Sequence, residues 1–461
     1  MEDGRPAIWW AAFCVRALAG NFLFRIKRIF SYLVEVVIEN GIENDKGGIA
    51  VERPERIWQD LVRESVREVR YGLRPEERGV IELVDFVLGR AVAMHASDVH
   101  LEPQEMRVRL RFRIDGLLRE VMAMPANLGP AVVSRLKVMA GMDIAVHQQP
   151  QDGHILFQAK GRRIDIRVSS LPATAGEVIV MRLMDVSEQL LSLDELGFSE
   201  EDTACFRALI HRPAGMIVLC GPMNSGKTSS LYAALAELNT ESRNLVTLED
   251  PIERVLPGVN QVQIHPKAGM TFVAGLCAVL RQDVTGILLG EIRDEETAAM
   301  AVRIALTGHL LMTTIHTEDA VAALYRMLEM GVAPYLLAAT LSGIISQRLV
   351  RRLCPDCREM YRAAGDSEEA AFFGAGGEGL LLYRSRGCDA CHGTGYRGRT
   401  VLAEILVPGE AVRAGILQKV PRREMAARAR ASGMRSLLED GRAKAEAGIT
   451  SWQEVRRVLY G

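Results

Sequence analysis

Residues 221–228 read Gly-Pro-Met-Asn-Ser-Gly-Lys-Thr, the G-x-x-x-x-G-K-S/T spacing that cradles phosphate groups. The loop follows the apolar run Met216–Cys220, which reads as a buried strand, and precedes Ser229–Leu238, which reads as a helix. Strand, glycine-rich turn and helix in that order aim the first-turn N–H groups at bound phosphate. Gly221 and Gly226 permit backbone conformations that a side chain obstructs. Pro222, Met223, Asn224, Ser225 and Ser229 complete the candidate binding segment, Lys227 would reach the β/γ-phosphates, and the Thr228 hydroxyl would hold Mg²⁺. An ordinary glycine-rich strand–helix turn is the alternative, and it leaves the Lys-Thr pair unexplained.

The chemistry continues downstream. Leu245–Leu248 reads as a strand delivering Glu249, Asp250, Pro251 and Glu253, carboxylates suited to Mg²⁺ and to ordering an attacking water. Asp250 could equally cap a helix whose first turn holds Pro251. A further apolar strand, Gly286–Leu289, runs into Gly290-Glu291-Ile292-Arg293-Asp294, which is the Walker B arrangement; Glu291 is then the candidate general base against the γ-phosphate. The next strand region is flanked by His309 and His316, and the sequence places both at the same sheet edge as candidate γ-phosphate sensors. Taken alone, each reads more readily as a structural histidine than as a functional one.

Cys354-x-x-Cys357 and Cys388-x-x-Cys391 stand 30 residues apart, the pattern of a tetrahedral four-cysteine zinc site. Four ligands leave no open position, so the site reads as structural. A redox dithiol needs only one pair, and His392 is too close to Cys391 to replace a ligand easily. Cys14, Cys205, Cys220 and Cys277 are scattered in apolar surroundings and read as small core residues. Paired CxxC beside a nucleotide loop fits a reducing cytosol.

These groups need a scaffold. A chain of 461 residues suggests about three domains, and 25% charged residues with a net charge of −2 exclude wholesale disorder and argue against a general nucleic-acid binder. No apolar run reaches membrane-spanning length. At the N-terminus, residues 8–38 are apolar but interrupted by Arg16, Arg25, Lys27 and Arg28; this reads as an interfacial amphipathic helix, a helix packed on its own domain, or residues added by a mis-assigned start. Residues 106–115 alternate apolar side chains with Arg107, Arg109, Arg111 and Arg113, a half-buried strand. A helix at about 128–141 and strands at 154–159, 162–170 and 177–184 complete a small α+β unit, and 193–212 reads as a helix. Strands at 216–220, 244–248, 286–290 and 310–315 alternate with helices, predicting an α/β fold with a parallel sheet. Residues 354–399 read as loop-like and 408–460 as helices. The expected division is 1–74 as an atypical segment, 75–192 as the α+β unit, 193–353 as the nucleotide core, 354–399 as the zinc module and 400–461 as a helical segment.

Taken together, the motifs resemble the secretion ATPases of type II secretion and type IV pilus assembly. The likeness runs in order through Ala96–Pro103, Phe112–Gly116, the phosphate loop, Leu248–Glu253, Leu280–Asp283, Gly290–Asp294, Ala305–Thr317, Gln347–Cys354 and Gly395–Thr400. It implies a RecA-like P-loop ATPase domain, a PAS-like N-terminal unit and a Cys₄ zinc module in a cytoplasmic homo-hexamer peripheral to the inner membrane. It also implies ATP and Mg²⁺ at the loop, Zn²⁺ at the cysteines, Glu249, Glu253 and Glu291 around the nucleotide, and inner-membrane secretion platform proteins as partners, without specific nucleic acid. Arg167 and Arg182, which unaided read as strand-face charges, are implied to reach the phosphates, with Arg326 and Arg399 as further matches. Three departures stand out: Met223-Asn224 for Thr-Gly, Val284-Thr285 for Pro-Asp, and an N-terminus unlike the family's docking domain. The expected activity is ATP hydrolysis driving pseudopilus assembly and export. The alternatives are a pilus-extension ATPase, a nucleotide-binding scaffold with impaired turnover and, more weakly, a DNA-translocating ring.

Overall fold

The computed structural model describes residues 75–159, 161–185, 190–374 and 379–460, and the readings placed on residues 1–74 lie outside it. The described chain from Glu76 onward is one compact unit built on two large sheets. Among the described residues no helix is long and apolar enough to cross a membrane.

The first sheet has six antiparallel strands: β1 (Ala96–Pro103), β2 (Arg107–Ile114), β3 (Leu117–Pro125), β4 (Gln151–Ala159), β5 (Arg162–Ala173) and β6 (Gly176–Asp185). They lie in the order β3-β2-β1-β6-β5-β4, beside helices α1 (Pro75–Ala93) and α2 (Gly129–Met139). The period-two reading of residues 106–115 holds: Val108, Leu110 and Phe112 are buried together with Leu88, Leu101 and Leu136. The arginine row on the other face meets acids throughout. Glu120 takes Arg107, Glu102 takes Arg109 and Arg111, and Asp98 takes Arg113. Two strands, β1 and β3, were not predicted.

The second sheet holds the candidate site. Its order is β15-β12-β7-β11-β10-β8-β9, from β7 (Gly215–Cys220), β8 (Leu245–Glu249), β9 (Asn260–Gln263), β10 (Gly286–Leu289), β11 (Leu310–Ile315), β12 (Leu341–Leu353) and β15 (Tyr396–Leu406). All pairings are parallel except β12 with β15. The reason lies in β7, where every residue is buried. Met216, Val218 and Cys220 enter one core, and Ile217 and Leu219 enter another. A strand buried on both faces must be continuously apolar, and each such side chain removed from water contributes about 1.5–3 kcal/mol. The helices connecting the strands are α4 (Lys227–Leu238), α5 (Phe272–Val279), α6 (Glu295–Leu306), α7 (Ala320–Glu329) and α8 (Pro334–Thr340).

Three readings are corrected. Residues 193–212 form a short 3₁₀ turn and then helix α3 (Glu200–Ile210), because Gly197 adopts φ +88° and Ser199 caps the helix by accepting the Asp202 N–H at 3.1 Å. Residues 354–399 are not all loop: β13 (Arg358–Arg362) and β14 (Leu381–Ser385) pair antiparallel around helix α9 (Glu368–Phe372). The segment after residue 340 supplies two strands of the main sheet before α10 (Glu410–Gln418), α11 (Arg422–Ala431), α12 (Leu437–Glu446) and α13 (Trp452–Tyr460).

Candidate functional site

The phosphate loop leaves the carboxyl end of β7 and enters α4 through residues that only a narrow choice of side chains allows. Gly221 has φ +146°, and a Cβ there would stand 2.4 Å from the Gln347 carbonyl oxygen of β12. Gly226 has φ +86° and forms the N-cap of α4. Asn224 sits at φ +61°, in the left-handed region where asparagine is the best-tolerated residue after glycine. The departure from glycine is therefore one that the backbone accepts. Met223 is 80% exposed, and Pro222, Thr228 and Ser229 are also exposed, whereas Ser225 is buried. From below, Gln347 Nε2 donates to the Ser225 carbonyl at 2.8 Å, so β12 is the floor of the loop.

Lys227 is 7% exposed and donates to the carbonyls of Gly221 and Pro222, each at 2.8 Å. Burial brings its pKa down to about 8, with the charge of Glu291 acting in the opposite direction. Glu291 follows β10, two strands from β7, and is held by Arg293 and faced by His316, whose Nε2 stands 3.4 Å from its Oε2. Burial and then the charge of Lys227 lower the His316 pKa, so the ring is neutral at pH 7. Lys227, Glu291, Arg293 and His316 thus converge at the carboxyl edge of β7, β11 and β10, which is where open parallel sheets bind ligands.

His309 does not join them. It precedes β11, its carbonyl accepts the Gly215 N–H, and its ring contacts Thr307. Leu310 is level with Gly215 and Ile315 with Cys220, so His309 and His316 occupy opposite edges, roughly 20 Å apart along the strand. The expectation of two histidines at one edge is corrected to His316 alone.

The acid segment after β8 is a loop and contains no helix, which removes the capping role considered for Asp250. Glu253 is exposed. Asp250 is near enough to Arg293 for its charge to act on that guanidinium. Glu249 turns inward instead, only 4% exposed, accepting hydrogen bonds from Tyr232, Thr247 and Gln261. Tyr232 and Gln261 carried no sequence signal; only their hydrogen bonds to Glu249 reveal them.

From the six-stranded sheet, Arg167 and Arg182 stand directly opposite each other on β5 and β6. Arg167 donates to the Ile252 carbonyl in the acid loop at 3.2 Å, whereas Arg182 is 3.4 Å from Asp98. Asp115 accepts the Gly398 N–H at 3.2 Å, another contact between this sheet and the core. Arg326 pairs with Glu329 on its own helix, and Arg399 lies exposed on β15.

The four cysteines come together. The sulfurs of Cys354, Cys357, Cys388 and Cys391 all lie within 4.8 Å of one another. Cys354 is 3.9 Å from Cys388, Cys357 is 3.9 Å from Cys391, and Cys388 is 3.7 Å from Cys391. A tetrahedral zinc with Zn–S bonds of about 2.3 Å requires S···S separations of about 3.8 Å, so the donor set fits that metal. Backbone N–H groups of Cys388 and Gly395 donate to the Cys391 sulfur at 3.2 and 3.1 Å, an outer shell suited to a thiolate. His392 is exposed, in a left-handed conformation, and outside the cluster.

Comparison with known proteins gives a consistent result. The sequence model of the family described as type II/IV secretion system protein matches residues 74–457. The chain is 46% identical over 384 residues to the type II secretion system protein E of Pseudomonas aeruginosa, covering 83% of this chain and 76% of that protein. It is 46% identical, with the same coverage, to the type II secretion system ATPase E of Vibrio cholerae. In fold it is similar to the solved structure of the ATPase DotB of Legionella pneumophila, with a TM-score of 0.61, 21% identity, and coverage of 85% of this chain and 97% of that one.

Proposed function

The chain belongs to the type II/IV secretion system protein family, and on that premise we propose that it is an ATPase whose hydrolysis of ATP drives assembly and export in a type II secretion system. One observation carries the catalytic reading: the buried ammonium of Lys227, behind β7, and the carboxylate of Glu291, two strands away behind β10, share the carboxyl edge of the sheet, close enough for the Glu291 charge to act on the ammonium. The backbone N–H groups of residues 221–229 cradle the phosphates, and Lys227 leaves its two loop carbonyls for the β/γ-phosphates. Glu291 accepts a proton from the attacking water, and His316, neutral at pH 7, orients it. Thr228 with Asp250 and Glu253 would hold Mg²⁺, which when bound would neutralise charge building up on the phosphates. Arg167 ties the six-stranded sheet to the acid loop, a route by which nucleotide state moves that sheet; Arg182 reaches the phosphates only after leaving Asp98.

The same reading makes the four cysteines a structural Zn²⁺ site and the working form a cytoplasmic homo-hexamer docked on inner-membrane platform proteins. The curated relatives named for type II secretion support that system over pilus extension. A scaffold with impaired turnover was motivated by Met223 and Asn224. The left-handed Asn224 backbone and the solvent-facing Met223 support a working loop instead. ATP turnover by the purified chain, measured beside a Glu291→Gln variant, tests the proposal. A large excess in the unaltered chain is expected, and equal near-background rates would sink it.

A further inference from the structure

Five residues beyond Lys227, helix α4 turns a tyrosine into the core. Tyr232 is 3% exposed, and its hydroxyl is committed to the acid segment. The phenol O–H donates to Glu249 Oε2, and the same oxygen accepts the Glu253 N–H at 3.3 Å. Glu249 receives two further donors, Thr247 Oγ1 at 2.5 Å and Gln261 Nε2 at 3.1 Å. No lysine or arginine pairs with it among the described residues, so neutral dipoles alone hold a buried carboxylate. Burial, and then the hydrogen bond to Glu249, push the phenol pKa well above its ordinary value, so it remains a donor.

What this hydroxyl grips is decisive. Thr247 and Gln261 belong to β8 and β9, within the sheet, and Gln261 Nε2 also donates to the Arg254 carbonyl at 2.9 Å, so the sheet holds the far end of the loop as well. Tyr232 alone of the three lies on the phosphate-loop helix, and it joins that helix to both ends of the five-residue turn Glu249–Glu253, the Glu249 side chain and the Glu253 backbone. That turn carries Asp250, which faces Arg293, and Ile252, whose carbonyl receives Arg167. We infer that Tyr232 is a positioning residue: its hydroxyl locks the acid loop 250–254 to the phosphate-loop helix, so that the loop carboxylates and the Arg167 contact register with bound nucleotide. The kinetic part rests on the ATP hydrolysis reading; the structural part does not.

Two measurements test it. In steady-state kinetics, Tyr232→Phe keeps the ring and should lower kcat at least tenfold while KM for ATP stays within twofold. Combined with Glu249→Gln, it should cost no more than the worse single variant. In hydrogen exchange of the unliganded full chain, residues 250–254 should lose about tenfold protection in Tyr232→Phe, with β7 unchanged. Thr247→Val is the comparator, since it removes a donor from the same carboxylate without touching the loop. Equal effects from both variants reduce the tyrosine to one carboxylate donor among several and overturn the inference, as does an unchanged kcat. Rapid exchange of the Glu253 amide in the unaltered chain overturns it even if the phenylalanine variant fails to fold. An unaltered chain without turnover defeats the hydrolysis reading, and exchange still decides the tyrosine.

Discussion

Nucleotide binding to this chain should take up a proton above neutral pH. Burial brings the pKa of Lys227 down to about 8 in the free protein, even though two loop carbonyls accept from its ammonium. Polyphosphate requires the charged form. The fraction of chains that must acquire a proton on binding is therefore about 0.1 at pH 7, 0.5 at pH 8 and 0.9 at pH 9. A lysine at its ordinary pKa of 10.5 would contribute less than about 0.05 even at pH 9. The apparent Kd for MgATP should rise about tenfold between pH 7 and pH 9 for the same reason. Burial lowers the His316 pKa from its ordinary 6.5, so in the free chain this ring titrates below the range. Calorimetric titrations at pH 8 in buffers of different ionisation enthalpy read the proton count directly. A Lys227→Arg variant, charged throughout, should take up none. A count near zero at both pH 8 and pH 9 in the unaltered chain would refute the buried-lysine argument.

Other predictions follow from particular contacts. Asn224→Gly should leave ATP affinity within about twofold, whereas Asn224→Val should weaken it about tenfold, because a β-branched residue at φ +61° costs on the order of 1–2 kcal/mol; equilibrium binding checks both. Glu454 is 1% exposed between Arg351 and Arg457, which overcome its burial and bring its pKa from 4.5 to about 2. A carboxyl depressed on folding stabilises above its unfolded pKa, so its contribution of about 3 kcal/mol should be present above pH 5 and fade as pH falls from about 4.5 towards 2. Urea titration of Glu454→Gln should show a loss of that order at pH 7 and a smaller one at pH 3. Protein purified without added metal should contain about one zinc per chain by elemental analysis, and Cys391→Ser should remove it.

Legibility followed the range of the interactions involved. The phosphate loop, the continuously apolar β7 and the four cysteines could be read because their constraints are local: a positive φ, burial on both faces, paired ligands three residues apart. His309 misled because its interval from His316 spans one strand, and a strand carries its two ends to opposite edges. Strand β3 escaped because it is half-buried nearly throughout and gives no clean alternation. Strand β12 escaped because its Gln347 acts through space on Gly221 and Ser225, more than 100 residues earlier in the chain. The bond between Tyr232 and Glu249 is of the same kind, set by how a helix lies on a sheet.

The four-cysteine segment also bears on chain entropy. Residues 354–395 are an excursion between β12 and β15, neighbours in one sheet, and β12 is the floor beneath the phosphate loop. Closing a loop of roughly 40 residues costs more than closing a tight turn, by about 0.6 kcal/mol per doubling of length. A metal that ties the excursion near its ends shortens the effective loop to roughly ten residues, recovering about 1 kcal/mol for pairing β15 to β12. The cysteines would then act beyond their own module, as a clasp that makes the outermost strand of the nucleotide sheet easier to close.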